Sequence, residues 1–235
     1  MNAYFVTGTN TDAGKTLVTS ALLCAARQQG LSTLGLKPVA SGSDATPSGL
    51  RNADALALQA QSVPAVSYDT VNPHAFAPAI APHLAADEAG CTLSAGGLAN
   101  GLHSTLERHP RDLCLIEGAG GWRVPLNEAE DFADLAARLD LPVILTVGLT
   151  LGCINHARLT AEAIAADGLT LAGWAGSVLE ADFAADTPRF SANLELLEDR
   201  LGAPCLGVIP HLDAPGAEAA SHYLSLSCLT AQEPA

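Results

Sequence analysis

Apolar residues along this chain fall into six short continuous runs, separated by stretches in which apolar positions recur at helical spacing. The runs cover residues 4–8, 33–38, 113–118, 142–148, 169–178 and 205–210, and read YFVTG, TLGLKP, LCLIEG, PVILTVG, LTLAGWAGSV and CLGVIP. Their apolar positions are continuous rather than alternating, which is typical of strands buried on both faces of a parallel sheet. The runs therefore predict six strands.

Helical patterns occupy the intervals between these runs, at residues 15–29, 52–61, 94–108, 131–139, 155–166 and 189–200. Alternation of strands and helices predicts an α/β fold, with a mostly parallel sheet flanked by helices and joined by right-handed crossovers. In such sheets ligands bind beyond the carboxyl ends of the strands. We expect a single domain over residues 1–235, because this length supports one sizeable core.

Composition and charge narrow the class of protein. Hydrophobic residues make up 49% and charged residues 15%, no apolar run reaches the ~18 residues of a membrane span, and the N-terminus lacks a basic signal-peptide start. The net charge of −14 argues against nucleic acid or an anionic membrane as a partner. Six cysteines without a CxxC pair predict reduced thiols in a cytoplasmic protein.

Lysine is nearly absent from the sequence. Of 11 basic residues only Lys15 and Lys37 are lysines, and both lie near the carboxyl end of a predicted strand. A protein of this negative charge that binds a triphosphate must concentrate positive charge locally. The compact ammonium of lysine fits a narrow phosphate site better than the planar guanidinium of arginine. We therefore expect both lysines to be site residues.

The segment GTNTDAGKT directly follows the first predicted strand. The common phosphate loop is G-x-x-x-x-G-K-[ST], but here five residues separate Gly8 from Gly14, and Thr9 occupies the position of the first glycine. Gly14 would let the backbone approach a phosphate, while Lys15 would reach the β- and γ-phosphates. The Thr16 hydroxyl could bind Mg²⁺, and the amides of the next helix would hold the anion. The segment predicts a nucleoside triphosphate site.

Mg²⁺ prefers hard oxygen ligands, so acidic residues could bind it together with Thr16. Glu117 closes the third predicted strand and Asp54 opens the helix after the second. From the residues alone, a helix-capping or first-turn aspartate and a solvated strand-end glutamate remain open alternatives. Lys37 ends the second strand, where it could neutralise charge on a transferring phosphate or be a surface lysine.

Two further segments follow strand ends. EGAGGWRVPL could place backbone amides against an anion. In LGCINHARLT, Cys153 and His156 fit packing and capping better than a nucleophile or a metal site, and Asn155 is a candidate helix N-cap.

Seven segments, in this order and spacing, closely resemble the dethiobiotin synthetase family: YFVTGTNTDAGKT, KPVASGS, LRNADALAL, LIEGAGGW, PVILTVG, LGCINHA and LTLAGW. The resemblance runs from residue 4 to about residue 210, and the shifted phosphate loop and K-P-x-x-[ST]-G are typical of the family. It implies conversion of 7,8-diaminononanoate, CO₂ and MgATP to dethiobiotin, ADP and phosphate, through a carbamate and a carbamic–phosphoric mixed anhydride.

The resemblance also implies roles for individual residues. Lys15 and Lys37 would be catalytic, and Thr16, Asp54 and Glu117 would hold Mg²⁺. The nucleotide would be bound by Asp12, Ala13, Gly14, Lys15, Thr16, Leu17, Asp54, Glu117, Gly118, Ala119, Gly120, Ser177, Pro210, His211, Leu212 and Glu218. The diamine or carbamate would be bound by Thr11, Ser41, Cys153 and Asn155. The family is a homodimer, so the LGCINH segment would reach the partner's substrate.

Two positions depart from the family pattern. Asp12 stands where the family often has glutamate, and Ser177 stands where it usually has an asparagine that reads adenine. Because a serine hydroxyl cannot reproduce the paired donor and acceptor of an amide, the substitution predicts looser base preference.

Two alternative functions share this kind of loop. One is the ATP domain of corrin amidating ligases, which carry a further glutaminase domain for which we expect this chain to be too short. The other is a P-loop ATPase switch of the partitioning or site-selection kind, which bears an additional lysine early in the loop, whereas GTNTDAG contains none.

Overall fold

The computed structural model describes residues 2–230. In chain order its elements are β1 (Asn2–Gly8), α1 (Lys15–Gln28), β2 (Thr33–Leu36), β3 (Val39–Ala40), β4 (Asp44–Thr46), β5 (Gly49–Arg51), α2 (Ala53–Ala60), α3 (Tyr68–Val71), β6 (His74–Ala75), α4 (Pro82–Glu88), α5 (Ala95–Arg108), β7 (Leu113–Glu117), α6 (Phe132–Leu139), β8 (Val143–Leu149), α7 (Cys153–Ala166), β9 (Leu171–Val178), α8 (Ala181–Ala185), α9 (Thr187–Leu201), β10 (Cys205–Ile209) and α10 (Ala217–Ser221). No helix of the described segment is long and apolar enough to cross a bilayer.

Six of the strands form one sheet in the order β10-β9-β8-β1-β7-β2. Every pairing in it is parallel. The six predicted strands and six predicted helices are confirmed, with ends that differ from the predicted ones by at most two residues. The chain therefore has the predicted α/β architecture, in which a parallel sheet carries helices on its faces.

The core lies on both faces of the sheet because successive strand residues point to opposite sides. Along β1, Phe5 faces the cluster that includes residues of α4, α5 and α6. Its neighbours Tyr4 and Val6 face the cluster that includes residues of α1, α2 and α10. Burial of a side chain as large as Phe5 contributes about 1.5–3 kcal/mol. Continuous apolar runs are thus required wherever both faces of a strand are covered.

The start of α7 corrects one prediction. Asn155 is not the N-cap, because α7 begins two residues earlier, at Cys153, with Gly152 as the cap. Gly152 has φ 95°, a conformation that glycine adopts without a Cβ penalty, and the Cys153 amide already donates to the Thr150 carbonyl at 3.1 Å. Asn155 therefore lies in the first turn.

Several short elements between residues 39 and 92 have no counterpart in the sequence prediction. β3 pairs with β6 in parallel, and β4 and β5 form an antiparallel hairpin. Each of these four strands has two or three residues, too few for a periodic pattern. α4 has Pro82 in its first turn, a position where the missing amide costs nothing.

Parallel pairing brings the carboxyl ends of the strands to one edge of the sheet. The phosphate-loop segment leaves β1 at this edge, Lys37 follows β2, and Glu117 is the last residue of β7. Ser177 and Pro210 lie at the ends of β9 and β10 on the same edge. The fold therefore assembles residues from five strand ends into one region.

Gly207 provides a test of the packing around β10. It has φ 133°, and a Cβ there would overlap the backbone carbonyl oxygen of Tyr223. We expect Gly207→Ala to lower the free energy of unfolding by about 2–4 kcal/mol, through overpacking and backbone strain. The matched change Gly101→Ala, inside α5 with no heavy atom within 4 Å of the new Cβ, should raise it by about 0.5–1 kcal/mol. Urea unfolding measures both, and equal stability of the two variants would contradict this packing.

Candidate functional site

The loop between β1 and α1 has the backbone of an anion-binding loop. Gly14 is the N-cap of α1 with φ 88°, and Asp12 also has a positive φ of 59°. The amides of the first turn of a helix have no partner within the helix, and together with the helix dipole they favour an anion.

Thr9 explains the displaced glycine of the loop. Its amide donates to the Thr146 carbonyl at 3.0 Å, and its hydroxyl accepts a hydrogen bond from the Gly148 amide at 3.2 Å. A threonine at this position therefore attaches the loop to the end of β8, which a glycine could do only through its backbone.

Lys15 crosses the loop beside Gly8. A Cβ on Gly8 would lie 2.9 Å from the Lys15 Cγ, so glycine leaves room for the lysine chain, whose Nζ donates to the Asn10 carbonyl at 3.0 Å. Burial, and next the positive charge of Lys37, lower the pKa of Lys15 to about 8. A phosphate at this loop would favour the charged form and raise that pKa again.

Lys37 is buried between two carboxylates. Its Nζ lies 2.6 Å from Glu117 Oε1 and 3.1 Å from Asp54 Oδ2, and it also donates to the Gly118 carbonyl at 3.3 Å. Burial alone would lower the pKa of Lys37, but the charges and hydrogen bonds of Glu117 and Asp54 outweigh it and raise that pKa. Lys37 is therefore an internal, permanently charged cation and not a surface lysine.

Glu117 does not take its alternative position, and Asp54 takes its alternative position only in part, as a residue of the first turn of α2 and not as its cap. Glu117 is fully buried, so it is not a solvated strand end. The cap of α2 is Asn52, whose side chain accepts from the Ala55 amide, so Asp54 does not serve as the cap. Burial would raise the pKa of Asp54, but the charge of Lys37 outweighs it and lowers that pKa.

Oxygen ligands for a metal converge at this point. The Thr16 hydroxyl donates to Glu117 Oε1 at 2.8 Å, while Glu117 Oε2 is a buried carboxylate oxygen without a hydrogen-bond partner in the part of the chain that the structure describes. Over residues 2–230 no cluster of three or more His, Cys, Asp or Glu side chains could hold a metal. Any metal here would therefore need the Thr16 hydroxyl, phosphate and water as further ligands.

A cavity of about 930 Å³ opens beside these groups. Its lining at one end includes the phosphate loop, Lys37 and Asp54, and at the other an apolar surface. That surface is formed by Ala79, Ile80, Ala81, Pro82, Val124 and Pro125. Among the residues predicted for the site, Thr11, Asp12, Gly14, Lys15, Thr16, Leu17, Lys37, Ser41, Asp54, Ala119 and Gly120 line it. A polar and an apolar part thus share one cavity.

Residues 79–82 were missed by the sequence analysis. They lie in AFAPAIAPH, which has neither a strand nor a helix period, and they reach the cavity from the loop before α4 and from its first residue, Pro82. The two prolines were the only available signal, and prolines alone indicate a turn and not a binding wall.

Ser177 and its neighbours lie along the other side of the phosphate loop. A Cβ on Gly14 would lie 2.5 Å from the Ser177 Oγ, and Ser177 pairs with Ile209, which directly precedes Pro210. Ala13 packs there against Gly148, whose added Cβ would lie 3.1 Å from the Ala13 Cα. His211 and Leu212 continue the chain beyond this point.

Ten of the predicted residues do not line the cavity, and three of these lie elsewhere in the chain's own fold. Cys153 is buried in the cluster around Trp174, and Asn155 is exposed on α7. Glu218 lines a separate cavity with Arg27 and other residues near the far end of α1. Arg27 lies 12 residues beyond Lys15, about 18 Å along the helix at 1.5 Å per residue. The prediction that Glu218 lies in the nucleotide site is therefore not supported by its position.

Proteins of similar sequence match the chain over nearly its whole length. A family model described as "AAA domain" matches residues 2–219. An ATP-dependent dethiobiotin synthetase BioD of Chromohalobacter salexigens is 59% identical, over 96% of this chain and 98% of its own length. A protein of the same name from Cellvibrio japonicus is 57% identical over 97% of this chain and 97% of its own length. Another from Pseudomonas aeruginosa is 54% identical over 96% of this chain and 97% of its own length.

Solved structures that are similar share the fold at low identity. The MinC:MinD cell division protein complex of Aquifex aeolicus aligns with a TM-score of 0.58 and 14% identity, over 96% of this chain and 88% of that one. A ParA family ATPase from Chlorobium tepidum aligns with a TM-score of 0.55 and 12% identity, over 97% and 95%. These likenesses show the P-loop nucleotide-binding fold alone. The full-length relatives at 54–59% identity show that the chain belongs to the ATP-dependent dethiobiotin synthetase family.

Proposed function

We propose that this protein closes 7,8-diaminononanoate and CO₂ to dethiobiotin in biotin biosynthesis, with conversion of ATP to ADP and phosphate, as a single domain over residues 1–235. The observation that carries the proposal is the single cavity in which Lys15, Lys37 and Ser41 face an apolar surface, in a chain whose full-length relatives bear the dethiobiotin synthetase name. The polar end suits phosphate and carbamate, and the apolar surface suits an aliphatic chain.

The reaction proceeds in three steps on the substrate. One amine adds to CO₂ and loses a proton to give a carbamate, and a carbamate oxygen then attacks the γ-phosphorus as ADP leaves. The second amine attacks the carbonyl carbon of this mixed anhydride, loses a proton and expels phosphate, which closes the cyclic urea. Holding both amines of a flexible chain beside the γ-phosphate is chiefly an orientation effect.

Lys15 and Lys37 supply the positive charge for these steps. Lys15 lies in the loop and faces the β- and γ-phosphates, and Lys37 neutralises charge on the γ-phosphate and the carbamate. Thr11 and Ser41 line the same cavity and bind the diamine or carbamate. Asp12, Ala13, Gly14 and Leu17, with Gly118, Ala119 and Gly120, surround the nucleotide.

The oxygen ligands at this site fit Mg²⁺. Thr16, Asp54 and the unpartnered Oε2 of Glu117 are hard donors of the kind that Mg²⁺ prefers. When bound, Mg²⁺ neutralises the charge of the β- and γ-phosphates. Ser177 with residues 210–212 faces the base, and the short serine side chain predicts weaker discrimination against GTP and CTP.

The start of α7 supports a homodimer. Leu151 is 91% exposed and Leu159 57% exposed, and both accompany Asn155 on a surface that a monomer would leave in water. Such exposed apolar surface is typical of an interaction site. A two-fold contact here would bring Asn155, with the backbone around Cys153, towards the partner's substrate.

A cytoplasmic location is supported by the cysteines of the described residues, all of which are free thiols.

The direct test is product formation. The purified protein is incubated with 7,8-diaminononanoate, bicarbonate, Mg²⁺ and ATP, and dethiobiotin and ADP are quantified by mass spectrometry. We expect one dethiobiotin per ADP. In parallel reactions with GTP or CTP in place of ATP we also expect dethiobiotin, because the site discriminates weakly between bases. ADP release that does not depend on the diamine would instead support an ATPase switch.

Lys37 should compete with a metal for Asp54 and Glu117. We expect Lys37→Met to tighten Mn²⁺ binding to the nucleotide-free protein by about 10- to 100-fold, because it removes charged hydrogen bonds of about 1.5–3 kcal/mol from both carboxylates. Electron paramagnetic resonance of free Mn²⁺ measures this affinity.

Lys15→Met is the matched control for the Mn²⁺ measurement. It removes the same charge from the same cavity, but its ammonium contacts the Asn10 carbonyl and no carboxylate, so a change below about threefold is expected by screening. Both variants should fail to form dethiobiotin. Equal Mn²⁺ affinities in the two variants would refute direct competition by Lys37.

The dimer contact is tested with Leu151→Asp. A carboxylate in an apolar interface is costly to bury, so we expect light scattering to report a monomer and dethiobiotin formation to fall at least tenfold. Leu56→Asp changes a leucine on α2 that is 43% exposed and should leave both properties unchanged. A fully active Leu151→Asp monomer would show that the site is complete in one chain.

A further inference from the structure

Asp167 makes two hydrogen bonds to the loop that forms one wall of the cavity. Its Oδ2 accepts from the Trp122 Nε1 at 2.7 Å and its Oδ1 from the Arg123 guanidinium at 2.8 Å. Asp167 is the residue at the C-terminal end of α7, and it lies 44 and 45 residues from these donors along the chain. The contact therefore joins the end of one helix to the loop after β7.

The loop packs into the core through Trp122, which is 4% exposed, but it makes few other hydrogen bonds. At its start the Gly118 amide donates to the Val6 carbonyl at 3.0 Å, and after it the Phe132 amide donates to the Val124 carbonyl at 2.9 Å. Between Ala119 and Arg123, every hydrogen bond that the described residues show goes to Asp167. The Trp122 ring also packs edge-on against Phe5 at 6.2 Å.

The same loop faces the reactants on its other side. Ala119, Gly120 and Val124 line the cavity, and Gly120 has φ 61° with no room for a Cβ, which would lie 2.8 Å from the Val124 Cγ2. The loop therefore folds back on itself, with the half-exposed Arg123 and the buried Trp122 between its cavity-lining residues. Movement of these two residues away from Asp167 would move the cavity wall.

A carboxylate is an unfavourable residue for the end of a helix. The C-terminal end of α7 carries the negative pole of the helix dipole, which repels Asp167 and would favour a cation there. Helix capping thus gives no reason for an aspartate at this position. The two donors of the loop, Trp122 and Arg123, do give a reason for an aspartate, because hydrogen bonds to a charged group are stronger than those between neutral groups.

We propose that Asp167 is a positioning residue for substrate binding, which acts through Trp122 and holds the 118–125 loop in its binding-competent form. This inference rests on the proposed function for its kinetic test. When only a fraction of the protein is competent, the apparent dissociation constant rises by the inverse of that fraction, while saturating substrate restores the competent form. Loss of the contact therefore raises KM and leaves kcat nearly unchanged.

The central variant is Asp167→Ala. We expect the KM for the diamine to rise roughly 5- to 20-fold, with kcat within about twofold of the wild type. Asp167→Asn keeps an oxygen acceptor for Trp122 and loses only an ion pair to the half-exposed Arg123, which contributes little. It should therefore restore KM to within about threefold of the wild type.

Two further variants separate positioning from general stability. Glu162→Ala removes an exposed carboxylate of the same helix that makes no hydrogen bond or ion pair within residues 2–230, and it should leave KM and kcat unchanged. Trp122→Phe retains an aromatic ring against Phe5 but removes the N–H donor, and should raise KM as Asp167→Ala does. The double variant Trp122→Phe with Asp167→Ala should raise KM no further than the larger of the two single effects, because both changes break the same hydrogen bond.

A spectroscopic measurement tests the loop independently of the reaction. The protein has two tryptophans, of which Trp174 is fully buried. The Trp122→Phe variant emits from Trp174 alone, and its spectrum is the baseline to subtract. In Asp167→Ala we expect the Trp122 emission to shift to longer wavelength and to be quenched more strongly by acrylamide. If wild-type protein forms no dethiobiotin, the proposed function fails while this measurement still tests the contact. Unchanged KM and emission in Asp167→Ala, or a fall in kcat at constant KM, would overturn the positioning role.

Discussion

The buried ammonium of Lys37 is the constraint on which the rest of the site depends. A charge removed from water is tolerated only when its partners are close and well oriented, and here they come from two separate segments: Glu117 and the Gly118 carbonyl at the end of β7, and Asp54 in the first turn of α2. Because Glu117 also accepts from Thr16 in α1, one ion pair connects the phosphate loop with two strand ends. The parallel sheet is what brings these groups to a single edge.

The strong elements of the fold could be predicted because burial on both faces leaves a continuous apolar run. β7 reads LCLIE and all five residues are buried, so a period-free run of that length indicates a strand. The short elements between residues 39 and 92 other than α2 could not be predicted, since strands such as Val39–Ala40 and His74–Ala75 exist only through pairing with each other. The apolar wall at Ile80 comes from this region, which is why residues 79–82 of the cavity lining were missed.

The site residues divide in the same way. Lys15, Thr16, Lys37 and Glu117 could be placed from sequence because Lys37 and Glu117 lie at strand ends and Lys15 and Thr16 open the helix after the β1 loop. The topology then decides their positions. Asn155 was wrongly assigned as a cap because the positive φ of Gly152 starts α7 two residues earlier. Glu218 was assigned from a weakly aligned segment, whereas its position is fixed by α10, which packs along α1. Long-range packing of this kind leaves no local signal.

The two lysines of the cavity have different electrostatic surroundings, and this distinguishes their chemistry. Lys37 is compensated by two carboxylates, so its pKa is raised and its charge is already balanced within the protein. Lys15 contacts only a backbone carbonyl, and its pKa is lowered to about 8 by burial and by Lys37. A phosphate therefore gains more from Lys15, whose positive charge has no carboxylate partner among the described residues. Lys37 can act on a phosphate only if its carboxylates acquire another cation, which links its action to metal binding. In a chain of net charge −14, this division confines the attraction for an anionic nucleotide to the loop that binds it.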